Sequence, residues 1–208
     1  MNVKSIGIKT IIFGITGALG GIAGELISQC LRLNEGGKTY FETVIRMAAW
    51  TAFLGLGVSV GLLTAQSIYL KKRPVPKSLI KTAIMGILLG AAAGIVAQVA
   101  FFVTNAIFEM ARIVSSTISS ILCWGIMGWG IGWGVSLFVP NYPKKRAMAA
   151  GFLGGFIGGV IFTMTLSLLP AATGRITGII ALGFFIGLTI SCMEEAFRED
   201  TSITGKKG

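Results

Sequence analysis

The 208-residue chain is 53% hydrophobic and only 12% charged, with 30 glycines and a formal charge of +10. A soluble domain carries about a quarter of its residues as charges, so this composition and a mean hydropathy of +0.81 exclude a soluble globule. The apolar residues fall into long blocks separated by short basic patches, the pattern of a chain that crosses a bilayer several times.

A spanning helix needs about 20 apolar residues. Six stretches qualify in chain order: approximately residues 8–31, 48–70, 79–104, 118–139, 147–169 and 176–193. The first has the basic-then-apolar profile of a signal peptide, with Lys4 and Lys9 ahead of it. It is too long for one and is needed by the repeat described below, so it is expected to remain as a helix. Alternate loops differ in charge. Lys4, Lys9, Lys71, Lys72, Arg73, Lys77, Lys81, Lys144, Lys145, Arg146, Arg198, Lys206 and Lys207 fall on one side. Arg32, Lys38, Arg46, Arg112 and Arg175 fall on the other. The positive-inside rule then predicts both termini in the cytoplasm of a bacterial inner-membrane protein. Trp50, near the predicted outer end of the second span, reads as an interfacial anchor.

The glycines recur in four-residue steps. The odd spans read Lys9-Thr10 then Gly14; Lys81-Thr82 then Gly86, Gly90 and Gly94; and Arg146-Ala147 then Gly151, Gly155 and Gly159. The even spans read Gly57, Gly61, Ala65; Gly128, Gly132, Ser136; and Gly183, Gly187, Ser191. Residues four apart share a helix face, and glycine there lets two backbones approach where lipid supplies no hydrophobic drive. The expected fold is therefore all-α, a six-helix integral membrane bundle of three pseudo-repeated hairpins with GxxxG packing. The hairpins cover about 4–72, 73–143 and 144–200 of a single transmembrane domain, with a polar tail at 199–208. Several spans carry two adjacent glycine grooves and should pack on two neighbours: Gly17 and Gly21 beside Gly20 and Gly24, Gly128 and Gly132 beside Gly130 and Gly134, and Gly151, Gly155 and Gly159 beside Gly154 and Gly158.

Chemistry-bearing residues are few. There is no histidine, and Cys30, Cys123 and Cys192 are too scattered for a metal site or a disulfide framework, so they are expected to be small buried side chains. Neither a cofactor, a metal nor nucleic acid is expected, and no nucleophile with its base or paired catalytic carboxylates stands out, so an enzyme is not expected. Glu25 is the carboxylate inside an apolar span, about 24 Å along the helix from Lys9. Gln98 and Thr163 follow Lys81 and Arg146 at nearly the same interval, so Glu25, Gln98 and Thr163 form a candidate polar path near the outer leaflet. The alternative is that Glu25 reaches the headgroups or pairs with Arg32 or Arg112. Glu194 and Glu195 are expected to start a solvated tail or to meet the 71–81 loop, and Trp124, Trp129 and Trp133 to face lipid or packing partners. Lys71, Lys72, Arg73 and Lys77, with Lys144, Lys145 and Arg146, form a basic face for anionic lipid or an acidic protein partner.

One resemblance accompanies these readings. Residues Gly151-Phe152-Leu153-Gly154-Gly155-Phe156-Ile157-Gly158-Gly159 are followed by Gly174-Arg175-Ile176-Thr177-Gly178, then by Leu182-Gly183-Phe184-Phe185-Ile186-Gly187-Leu188 and Glu194-Glu195-Ala196-Phe197-Arg198. This resembles the glycine-zipper membrane region of bacterial multi-pass proteins, some of them joined to or encoded near phosphopeptide-binding FHA modules. It covers about the last 60 residues, and about ten polar residues follow Arg198 in place of such a module. The resemblance implies a membrane component of a signalling or envelope assembly and transfers no catalytic residue. The expected function is a non-enzymatic scaffold or anchor subunit, alone as a homo-oligomer or with a protein partner. The alternative is a small cation or solute channel or transporter with pseudo-threefold symmetry.

Overall fold

The computed structural model describes residues 3–33, 37–71, 73, 75–107, 112–137 and 143–204. They form six helices and, among the described residues, no strand: α1 Val3–Cys30, α2 Tyr40–Tyr69, α3 Pro76–Ile107, α4 Arg112–Ser136, α5 Lys144–Leu168 and α6 Ala171–Thr204. Each contains a stretch of 20 to 30 residues long and apolar enough to cross a membrane.

The second helix begins well before residue 48, where the apolar pattern alone would start it. Thr39 caps it by accepting from the Glu42 amide at 3.2 Å. Glu42 in turn accepts from the Lys38 amide at 2.9 Å and pairs with Arg46 one turn on at 2.9 Å. Two charges that look like loop in a hydropathy profile are thus the capped and paired first turns of a helix. Arg46 also donates to the Arg32 carbonyl at 3.2 Å, which ties this end of α2 to the end of α1. Arg32 itself closes α1 in the left-handed region, φ 53°, with the Leu33 amide bonded back to Ser28 O at 3.0 Å.

Each helix packs on its chain neighbour, and α6 returns to pack on α1, so the six close into a ring. Inside it α2, α4 and α6 also approach one another. The largest fully buried apolar side chains lie mostly on those three helices: Leu54, Val58 and Leu62; Met127 and Ile131; Ile179, Leu182, Ile186 and Ile190. Outward-facing stripes at helical spacing carry branched residues, such as Ile8, Ile11, Ile15 and Leu19 on α1 and Ile80, Ile84 and Leu88 on α3. Size rather than polarity separates the faces, as expected of helices with lipid on one side and backbone on the other.

The glycines sit where backbones touch. A methyl added at Gly20 or Gly57 would run into the other's backbone, closing α1 on α2, and one at Gly61 would meet Thr16 O. Gly17 and Gly183 oppose each other between α1 and α6, with Gly187 on Phe13 O and Gly21 on Ile179. Gly55 and Gly86 oppose between α2 and α3, with Gly90 and Gly94 against Thr51. Gly128 and Gly151 oppose between α4 and α5, with Gly132 on Ala147 O and Gly155 on Trp124 O; Gly159 meets the Trp124 side chain. Gly154 and Gly158 face Phe185 and Leu182 of α6. Gly14 faces only the Phe184 ring, so the close approach on α1 falls three residues later than the Lys9-Thr10 register implies. The seam between α3 and α4 is looser: methyls at Gly130 and Gly134 would reach Leu89 at 3.5 and 3.3 Å.

Candidate functional site

Ring closure brings residues from opposite ends of the chain together at two depths. Toward the end of the bundle where α1 begins and α6 finishes, Lys9 is 2% exposed and its Nζ lies 2.7 Å from Glu195 and 2.8 Å from Glu194. The ammonium also sits over the Phe13 and Tyr69 rings, at 5.8 and 5.2 Å. Glu194 and Glu195 therefore clasp the last helix to the first instead of starting a solvated tail or meeting the 71–81 loop. A lysine can be buried in this way because two carboxylates replace its hydration shell.

In the opposite half, Glu25 is 1% exposed. It accepts from Trp50 Nε1 at 2.7 Å, from Gln29 at 2.9 Å and from Arg175 Nε at 3.1 Å. Arg175 lies at 4.8 Å over the Trp50 ring. The partner of Glu25 is thus neither the headgroup region nor Arg32; Arg112 belongs to a segment whose side chains lie outside the described residues. Trp50 is buried at 6% exposure between helices, not set outward as an interfacial anchor would be; α2 continues two to three turns before it, to the exposed Tyr40 and Phe41.

Next to this network is a cavity of about 490 Å³ in the same half of the bundle, lined by residues of α2 to α6. Its walls are largely apolar and aromatic. Trp50 and Trp124 pack edge to face at 5.6 Å, and Trp124 meets Phe162 at 4.6 Å. Polar groups enter at Gln98, Ser120, Thr163 and Arg175. Thr163 donates to Gly159 O at 2.8 Å, one turn back on its own helix. Cys123 bridges α4 to the Ala97 carbonyl of α3 at 3.2 Å. Gln98 and Thr163 of the expected polar path thus line one cavity. Glu25 stands behind its wall and reaches it through Trp50 and Arg175.

Three further expectations concern exposure. Cys30 and Cys192 are exposed and Cys123 is half-buried, so none of them is a buried filler. Trp124 is a cavity wall, whereas Trp129 faces outward. Lys71, Arg73 and Lys77, and Lys144, Lys145 and Arg146, are exposed at the same end of the bundle as the Lys9 clasp; Lys72 lies outside the described residues. Arg175 was legible as the basic residue of the last outer loop, but its partnership with Glu25, 150 residues away, has no local signal. Among the described residues no group of three or more potential metal ligands gathers. Comparison with family models, with curated proteins and with solved structures returns no match.

Proposed function

We propose that the chain is a non-enzymatic, multi-pass protein of the bacterial inner membrane that serves as a scaffold or anchor subunit, with both termini in the cytoplasm. The supporting observation is closure at the backbone level. Five of the six seams of the ring have glycines where even a methyl would overlap a neighbour's main chain. A conduit along a glycine face needs an open groove, and these grooves are occupied. Lys9 and Glu25 are each matched by opposite charges inside the bundle, and residues 10–24 between them carry no ionisable side chain.

The bundle reads as a triplicated unit. Gly55 with Gly86, Gly128 with Gly151 and Gly183 with Gly17 are three like contacts, each between an even helix and the odd helix that follows it around the ring. Gly20 and Gly57 make a further reciprocal contact inside the first hairpin, between α1 and α2. The exposed basic residues of the 71–77 and 144–146 segments suit anionic lipid at the cytoplasmic face or an acidic partner.

Photocrosslinking from Lys77 and Lys145 in native membranes tests the scaffold: recovery of one recurrent protein partner, or of a second copy of the chain, supports it, and lipid adducts alone overturn it. The cavity favours a second reading, a solute or cation path using Glu25, Gln98 and Thr163. It requires flux in reconstituted vesicles that falls with Glu25→Gln, and unchanged or absent flux rejects it.

A further inference from the structure

The cavity holds a polar group with nothing to bond to. Gln98 is 8% exposed, lines the cavity, and has no hydrogen-bond partner among the described residues. A primary amide left dry at membrane depth costs on the order of several kcal/mol. Beside it, Ser120 has no hydrogen bond among the described residues, and Arg175 Nη2 lies 2.9 Å from Glu25 without hydrogen-bond geometry to it. The unmet capacity is therefore an amide and a hydroxyl, each able to donate and to accept, so a ligand carrying polar atoms can be bonded there.

Charge narrows the ligand further. The Arg175 cation is already matched by Glu25, so an anion entering the cavity would gain little from the guanidinium and would face the carboxylate behind it. A cation would meet Arg175 at the wall before it reached Glu25. The cavity suits a neutral molecule. Its volume of about 490 Å³ lies inside the range of small-molecule sites, roughly 300–1,000 Å³, and Trp50, Trp124 and Phe162 offer flat apolar faces.

We infer that this cavity is a binding site for a neutral, ring-bearing lipophile that presents carbonyl acceptors, the naphthoquinone class, taken from the leaflet on the Glu25 side. Its rings lie against Trp50, Trp124 and Phe162, and its carbonyls accept from Gln98 or Ser120. The assignment is of binding only and is independent of whether the bundle also holds a protein partner.

The test is photolabelling of the full chain in nanodiscs with a diazirine-bearing naphthoquinone, followed by peptide mapping. Adducts within 93–101, 120–127 and 162–166, competed by excess menadione, are expected. Gln98→Leu should lower this competable labelling about tenfold, the effect of losing one buried hydrogen bond with its partner stranded. Ala97→Leu, which fills the cavity and leaves Gln98 in place, should abolish it, while Trp129→Phe on the outward face leaves it unchanged. Adducts confined to outward residues such as Ile84 and Leu88, or no competition by menadione, overturn the site. Equal competition by 2-methylnaphthalene overturns the role of the carbonyls. Better competition by dodecanoate or by tetraphenylphosphonium overturns the neutral assignment. These readouts on the wild-type chain decide the matter even if a variant fails to fold.

Discussion

Alanine at Gly128 and alanine at Gly130 should have opposite effects on stability, although only two residues of α4, about 200° of helix rotation, separate the two positions. In both, replacing glycine removes backbone freedom from the unfolded chain and favours the helix by about 0.5–1 kcal/mol. At Gly130 the new methyl meets Leu89 Cβ at 3.5 Å and Leu89 O at 3.7 Å, ordinary contact, so the gain survives. At Gly128 the methyl overlaps Gly151 O, with the Gly151 carbonyl carbon at 2.9 Å and Gly155 Cα at 3.0 Å. Those atoms are main chain and cannot swing aside. The α4–α5 pair must part by about an ångström, and overpacking of this kind costs about 1–3 kcal/mol. The net is a loss of about 1 kcal/mol or more at Gly128 against a gain of up to about 1 at Gly130. That is a difference of about 2 kcal/mol, or roughly thirtyfold in the folding equilibrium. Reversible SDS titration in mixed micelles, followed by circular dichroism, measures it. If Gly128→Ala proves as stable as Gly130→Ala, the contact between these helices is not what the glycines serve.

Three other outcomes follow from the same geometry. Glu25→Gln strands Arg175 in the bundle and should cost about 2–4 kcal/mol in thermal unfolding, with Glu25→Gln/Arg175→Met recovering much of it; a double variant no better than the single one refutes the pairing. Lys9→Met leaves Glu194 and Glu195 facing each other without their cation and should lower stability by about 3 kcal/mol, whereas Lys77→Met on the exposed loop should change it by less than about 0.5. In single-cysteine variants, a membrane-impermeant maleimide should modify Cys30 from outside intact spheroplasts and Cys192 only in inverted vesicles; the reverse pattern would invert the topology.

The existence and number of the helices were legible because a span must be long and continuously apolar, and each block from residue 8 to residue 193 announces itself. The limits were less legible wherever charge is neutralised locally. Glu42 and Arg46 interrupt the hydropathy of α2 but not its backbone. The glycine steps marked the faces that touch, yet they did not reveal which helix fills each groove. The basic residue at Lys9 misled the register on α1, because Lys9 is held by Glu194 and Glu195 while its counterparts Lys81 and Arg146 are exposed. At the candidate site, equal depth sufficed to group Gln98 with Thr163. The Glu25–Arg175 and Lys9–Glu195 pairs depend on α6 meeting α1, a contact between the two ends of the chain that no window along the sequence contains.

Both ionic clasps have a further consequence for how the protein is made. The carboxylate of Glu25 and the ammonium of Lys9 enter the membrane with the first helix, while Arg175, Glu194 and Glu195 are still to be translated. Until synthesis passes residue 195, the first helix carries two charges without their final partners, and an unpaired charge within a span is penalised by a bilayer. Completion of the last helix is thus the step that renders the first one compatible with lipid.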